Sequence, residues 1–286
     1  MKDIRKLDLH MHSCVSDGSD TPEELIAAVK LAGMDLFSLT DHDAISGCKV
    51  IRSLLKETDP AFVNGVEFSC RDEKGKYHIL GFDYDPEAPS INDVVDLGHS
   101  LRMNKAKVRV DYVVNVLGLK LPEEEINDFL ALPNPGKPHL GNLLVKYGYA
   151  PDMHEAIQNY INKAKTPKAY VSPECAIEGI RKAGGIPVLA HPVFGSGGER
   201  IRGEEMETRL RRLMDFGLEG VEAYYSEFTQ DMTCEMLNLA ARYGLYVTAG
   251  SDYHGSNKEI PIGGNNLEDA GSAPKGLKDF LERVCS

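Results

Sequence analysis

Six of the nine histidines stand where an apolar run gives way to polar residues, each with a carboxylate nearby. His10 and His12 belong to Asp8-Leu9-His10-Met11-His12, and Asp17 follows in Ser16-Asp17-Gly18. His42 lies in Thr40-Asp41-His42-Asp43, Glu67 closes Gly65-Val66-Glu67, and His78 opens His78-Ile79-Leu80-Gly81. His191 sits in Ala190-His191-Pro192, and Asp252 and His254 in Ser251-Asp252-Tyr253-His254. Residues two apart on a strand share a face, so His10 and His12 can address one metal. Imidazole with carboxylate suits zinc, manganese or iron better than calcium. The supply of ligands exceeds one tetrahedral site, so a cluster of two or three metals is expected.

Each signal taken singly has a plainer reading. His-x-His can be incidental, Asp41 or Asp43 can cap the following helix, and His191 before Pro192 can be a turn residue. The conjunction at successive strand ends decides for metal. His99 and His154, by contrast, read as solvated helix positions. His139, after Gly136-Lys137-Pro138, could point into the site.

The elements that must position these residues alternate. Residues 6–12 read as a strand. A helix over 21–33 follows, with Thr21 as N-cap, Pro22 at the first helical position, Glu24 completing a capping box and Gly33 as stop. A strand at 35–40 precedes a helix at 44–56. Strands at 61–68 and 77–82 are joined by the turn Asp72-Glu73-Lys74-Gly75, which suggests a hairpin. Residues 91–168 show helical periodicity and no convincing strand. They read as a helical insertion, a cap, in a barrel made of residues 1–90 and 169–286. Then come a helix from Ser172 to Gly184-Gly185, strands at 186–190, 220–225 and 245–250, helices at 204–216 and 231–243, and a last helix after Pro274. Repeated βα units favour a parallel sheet or barrel with the site at the carboxyl ends of its strands. An open doubly wound sheet is the rival.

Composition bounds the function. The chain has 286 residues and a net charge of −12, which argues against broad binding to duplex nucleic acid. Bound cations can invert the sign locally, so a small anionic substrate is compatible. Cys14, Cys48, Cys70, Cys175, Cys234 and Cys285 form no CxxC pair and read as reduced thiols. No apolar leader or membrane-length stretch is evident, so a cytoplasmic protein with no membrane association and no obligate protein partner is expected.

The ordered motifs resemble the polymerase and histidinol phosphatase family, the PHP domain, over nearly the whole chain. Within it they are most similar to stand-alone bacterial phosphoesterases with a helical insertion. Those include nucleoside 3′,5′-bisphosphate and AMP phosphatases and enzymes that trim short RNA from its 5′ end. The resemblance implies an α/β fold, a distorted seven-stranded β/α barrel, with three divalent ions (Mn2+, Fe2+ or Zn2+). By position, His10, His12, Glu67 and Asp252 would hold one ion, and Glu67, His78 and His191 a second, with Glu67 bridging. Asp17, His42 and His254 would hold the third. The implied reaction is hydrolysis of a phosphate monoester, a small nucleotide, by a metal-activated hydroxide. Asp41 is a candidate acid for the leaving oxygen. Arg102, Lys137 and His139 are candidate phosphate contacts.

Two positions depart from the family pattern. Lys137 stands where relatives often carry Arg, which removes a bidentate fork. Ser226-Glu227-Phe228-Thr229 stands where relatives often carry a His. The alternatives are histidinol-phosphate hydrolysis, 5′–3′ exonuclease action on short RNA, and a non-catalytic metal-binding module. An amidohydrolase is a further rival, but no strand-end lysine suggests the carboxylated residue such enzymes use.

Overall fold

The computed structural model describes residues 4–195 and 199–285. Seven strands, in the order of the chain, form one sheet: β1 Leu7–Asp8, β2 Leu36–Leu39, β3 Ala61–Asp72, β4 Gly75–Phe82, β5 Ile186–Leu189, β6 Gly220–Tyr225 and β7 Tyr246–Gly250. β1, β2 and β3 run parallel, and so do β5, β6 and β7. β4 is antiparallel to both of its neighbours. The chain beyond β1 closes the ring against β7: Leu9 N–H donates to Ala249 O at 2.9 Å, and Met11 bridges Tyr253. The result is a nearly closed, distorted β/α barrel rather than an open doubly wound sheet.

Two expected strand boundaries differ. The first strand ends at Asp8 because residues 9–12 change partner. Asp252 N–H donates to His10 O and His12 N–H to Tyr253 O, both at 2.8 Å, so the segment pairs with the chain after β7. The third strand runs on to Asp72, because the hairpin with β4 extends the ladder from Gly65↔Phe82 to Asp72↔Gly75. Glu67 therefore lies mid-strand. β4 enters from the opposite direction, so His78 near its start reaches the same end of the barrel as the parallel strands' carboxyl ends.

The helices follow from local signals. α1 Pro22–Leu31 begins with the Thr21–Glu24 capping box and stops before Gly33, whose φ of +69° suits glycine. α2 Ser46–Leu54 is preceded by Ile45 and has no side-chain cap, so neither Asp41 nor Asp43 is an N-cap. Both carboxylates are drawn instead into tertiary bonds described below. α7 Pro173–Lys182 is capped by Ser172. α8 Gly203–Asp215, α9 Gln230–Tyr243 and α10 Lys275–Val284 cover the later strands, with Phe280 edge-on to Phe82 at 5.4 Å. Between β4 and α7 lie α3 Pro89–Asp111, a π-helical turn Tyr112–Val116, α4 Glu123–Ala131, α5 Lys137–Lys146 and α6 Met153–Asn159. Apart from α3, which also leans on the barrel, these helices share their own apolar cluster, including Val113, Phe129, Leu140 and Leu144.

Candidate metal centre

The barrel mouth gathers eight side chains around Glu67, which is 1 % exposed. Its two oxygens face different partners. Oε2 lies 3.4 Å from His10 Nε2, 3.3 Å from His12 Nε2 and 3.0 Å from His42 Nδ1. Oε1 lies 2.8 Å from His78 Nδ1 and 3.2 Å from His191 Nε2. Asp252 Oδ1 sits 3.6 Å from His10 Nε2 and 3.3 Å from His12 Nε2. Asp17 sits 3.8 Å from His42 Nε2 and 3.4 Å from His254 Nε2. Three overlapping groups bring donor atoms within 4.8 Å of one another: His12, Asp17, His42, His254; His10, His12, Glu67; and His42, Glu67, His78.

This donor set fits cations. His10 Nε2, His12 Nε2 and His42 Nδ1 are buried and make no hydrogen bond, although each faces a carboxylate oxygen. Orphaned buried nitrogens are costly, and a cation between nitrogen and carboxylate satisfies both. The carboxylates are held ionised. Burial opposes ionisation of Glu67, but His42, His78 and His10 outweigh it and hold the carboxyl well below the usual range. Asp17 and Asp252 are lowered in the same way, against their own burial. Without a cation the histidines must answer that charge: burial resists, yet Asp252 and Glu67 push His12 up to about 10. His42 goes the other way, down to about 3, because burial dominates and His12 and Arg102 repel its proton.

Backbone geometry sets these side chains. His191 and Asp252 have φ of +26° and +60°, a left-handed region that L-residues adopt at a cost of about 1–3 kcal/mol. Gly250 admits His10, since a Cβ there would lie 2.1 Å from His10 Cβ. Behind the donors stand two carboxylates, Glu222 and Asp8, whose supporting roles sequence reasoning missed. Glu222 accepts from His191 N–H at 2.7 Å and pairs with His10 Nδ1 at 3.0 Å, so it orients two candidate ligands. Its signal was a single charge inside the apolar strand Gly-Val-Glu-Ala-Tyr-Tyr. Asp8 accepts from the backbone N–H of His10, Ser251 and Gly263. Asp252 Oδ2 accepts from Tyr225 OH at 2.9 Å and Lys258 Nζ at 2.8 Å.

Asp41 is held by the serines of its neighbouring loop, and burial raises its carboxyl above the usual range. Its carboxylate accepts from Ser13 N–H, Ser13 Oγ and Ser16 Oγ at 2.8, 2.7 and 2.6 Å, and it is 1 % exposed. It ties down the loop that carries Asp17. Asp43, at φ +50°, accepts from Ser69 N–H and from Arg102.

Beside the donors opens a cavity of about 300 Å3, lined by Asp17, His42 and His78 and by several cations. Arg102 and Lys137 are both there. Arg102 donates to Asp43 Oδ2 at 2.6 Å and to Ser69 Oγ at 3.0 Å. Lys137 donates to Asn162 Oδ1 at 2.6 Å, and burial with repulsion from Arg109 and Lys76 lowers it to about 8. His139 borders a groove between α4 and α5, its Nδ1 accepts from Gly136 N–H at 3.0 Å, and it lies near enough to Asp17 to feel that charge, while burial holds its imidazole below the usual range. The cavity also contains Lys76, Lys105 and Arg109. A signal for two of these existed: 102, 105 and 109 are spaced to share one helix face. His99 is half-buried and His154 exposed, and both lie on helices. A second cavity of about 450 Å3 flanks the other side, with His191, Asp252, Phe194 and Tyr225, and shares Lys76 and His78 with the first.

The model for the PHP domain matches residues 8–166, more than half of the chain. The chain belongs to the PHP domain family. Among curated relatives, the PHP-domain chain is 28% identical over 270 residues to the 5′-3′ exoribonuclease of Haemophilus influenzae, a match covering 91% of this chain and 94% of the relative. It is 29% identical over 258 residues to the 3′,5′-nucleoside bisphosphate phosphatase of Chromobacterium violaceum, covering 88% of each. A solved structure from Bifidobacterium adolescentis, described as a metal-dependent phosphoesterase, superposes with a TM-score of 0.82 at 26% identity, covering 97% of this chain and 96% of that one. The PHP assignment makes a divalent metal part of the site, in keeping with the donor cluster. No helix among the described residues is long and apolar enough to cross a membrane.

Proposed function

We propose that the chain is a metal-dependent phosphomonoesterase acting on a small nucleotide, AMP or a nucleoside 3′,5′-bisphosphate. The observation that carries this reading is the two-sided environment of Glu67: each oxygen faces its own set of histidines, and a basic cavity opens next to them. Three ions, of manganese, iron or zinc, are proposed. His10, His12, Glu67 and Asp252 would hold one, Glu67, His78 and His191 a second, and Asp17, His42 and His254 a third. When bound, such ions supply Lewis-acid charge and a water of lowered pKa. The chain's own residues do the rest. Glu222 keeps His10 and the His191 backbone in position, Lys258 and Tyr225 hold Asp252, and the cations of the cavity draw in and orient the phosphorylated substrate. Residues 91–168 are proposed as a helical cap, since α4, α5 and α6 pack round their own apolar cluster and the loop before α5 reaches the site, where Asn134 donates to His42 O.

A second reading, removal of nucleotides from short 5′-phosphorylated RNA, is favoured by the two cavities that share His78 and Lys76 in their linings. The test is phosphate release by manganese-loaded protein from AMP, adenosine 3′,5′-bisphosphate, histidinol phosphate and 5′-phosphorylated oligoribonucleotides. Release from the first two at rates far above the others is the expected result. A metal-loaded protein that releases phosphate from none of them overturns the proposal.

A further inference from the structure

We infer that Asn134 and Asn142, both in the proposed cap, are positioning residues for the third ion. They hold His42 and Asp17, so that seating of the cap and occupancy of the site at Asp17, His42 and His254 rise and fall together. The inference rests on the three-ion part of the proposed function and on nothing about the substrate.

The donor groups are braced from different sides. The braces behind the first two come from the barrel. Glu222 on β6 pairs with His10 Nδ1 and accepts from the His191 N–H, while Tyr225 and Lys258 donate to Asp252. The third group is reached from residues 91–168. Asn134, in the loop between α4 and α5, donates from Nδ2 to His42 O. Asn142 on α5 donates to Asn257 Oδ1 at 3.4 Å, and Asn257 Nδ2 donates to Asp17 O at 3.0 Å. The Asn257 N–H in turn donates to His254 O at 3.3 Å. Gly136 packs on Asp17, since a Cβ there would lie 3.5 Å from Asp17 Cβ. The residue after His42 is also gripped from α3. Arg102 donates to the Asp43 carboxylate, and Gly98 leaves room for it, as a Cβ there would lie 2.9 Å from Asp43 Cβ.

Asn134 indicates what these contacts are for. It is 1 % exposed, and its Oδ1 is buried without a partner. An unmet buried acceptor destabilises the loop that carries it. Turning the amide over would set Oδ1 against His42 O, acceptor against acceptor. Among the described residues, the side chain's one hydrogen bond is the one to His42. A residue kept at that cost is placed for the site and not for the cap's own folding. On the far side of the same segment, Asp43 N–H donates to Glu67 O at 2.9 Å, so His42 is pinned between the barrel and the cap. Linkage is reciprocal: if the cap improves the placement of these donors for an ion, the ion must hold the cap more firmly by the same factor.

The test uses manganese alone, with no substrate. Bound metal is measured by equilibrium dialysis and elemental analysis over graded free Mn2+ on the wild-type chain, Asn134→Ala, Asn142→Ala and His254→Ala, the last of which removes a donor of the third site. The wild type should fill three sites. Asn134→Ala should fill two as before and the third about 10- to 100-fold more weakly, the usual cost of losing a partner behind a ligand. Asn142→Ala should shift the third site less, because it acts through Asn257. In the His254→Ala background, Asn134→Ala should cost nothing more. Hydrogen exchange reads the reverse direction: saturating manganese should slow the backbone amides of residues 133–142 in the wild type and not in His254→Ala. Weaker binding at every site, a further loss in the His254→Ala background, or protection that survives His254→Ala overturns the inference. A wild type that never exceeds two ions overturns the three-ion reading and this inference with it. Three ions bound with both asparagine variants unaffected overturns this inference alone.

Discussion

Two charge clusters of opposite sign lie side by side at the barrel mouth, and they are built by different means. The donor cluster sets Glu67, Asp17 and Asp252 among six histidines, and its members come from six strands or the segments that follow them. Two of its backbones are left-handed, and the carboxylates of Glu222 and Asp8 brace it from behind. The basic cavity draws three cations from one face of α3, one from β4 and one from α5. Among the described residues, Asp43 is the carboxylate hydrogen-bonded to them. One cluster is excess anion waiting for cations and is rigidly held; the other is excess cation waiting for anion, carried largely by a single helix. On the proposed reading, the contrast assigns the reaction and the choice of substrate to separable parts of the fold.

The largest effect should come from breaking the donor cluster at its centre. Glu67→Gln should reduce metal content below two per chain and turnover by at least about 1,000-fold, because several kcal/mol of charge stabilisation go with the ions. Elemental analysis beside a phosphate-release assay checks it, and the circular-dichroism spectrum should be unchanged. One layer out, Glu222→Gln should weaken metal affinity about 10- to 100-fold, the usual cost of losing a partner behind a ligand. A chelator titration followed by residual activity reads that loss, and unchanged affinity would mean that Glu222 merely fills space.

A smaller effect belongs to the basic cavity and appears as pH dependence. Lys105 and Lys137 have both fallen to about 8 from an ordinary 10.5. Between these values the unfolded chain binds more protons than the folded one, so these two groups make the ligand-free protein more stable as pH rises from 8 to 10.5. Affinity for an anion moves the opposite way. KM for the bisphosphate should rise several-fold between about pH 7.5 and 9, while KM for p-nitrophenyl phosphate should change little. A parallel rise for both substrates would merge the two regions into one. The smallest effect tests neither region. Thr21→Ala removes the cap of α1 and should cost about 1 kcal/mol of stability with turnover intact, as read by denaturant unfolding and a rate assay.

Much of this was legible in the sequence for physical reasons. Strand alternation and the Asp72–Gly75 turn gave the seven strands, and the Thr21–Glu24 box gave the start of α1. The nine residues of the donor cluster could be named because side chains that meet at one end of a barrel must recur at strand ends. The parts missed depend on the third dimension. Asp41 and Asp43 looked like caps, but tertiary bonds to Ser13, Ser16, Ser69 and Arg102 claimed them first. Glu222 braces residues far from it in sequence, so its neighbours gave no hint of its partners. Lys105 and Arg109 sit among many charged residues in the helical stretch, and only packing shows them to be buried.

The antiparallel strand β4 has a consequence of its own. Lys76 and His78 are two residues apart on it and face the same way, both lining the two cavities. Two residues of strand span about 6.6 Å, a length that covalent geometry and the ladders on both sides hold fixed. The strand is thus a gauge with a candidate metal ligand at one mark and a cation at the next. Movement of the surrounding helices can widen or narrow the entrance, but it cannot change the interval between those marks.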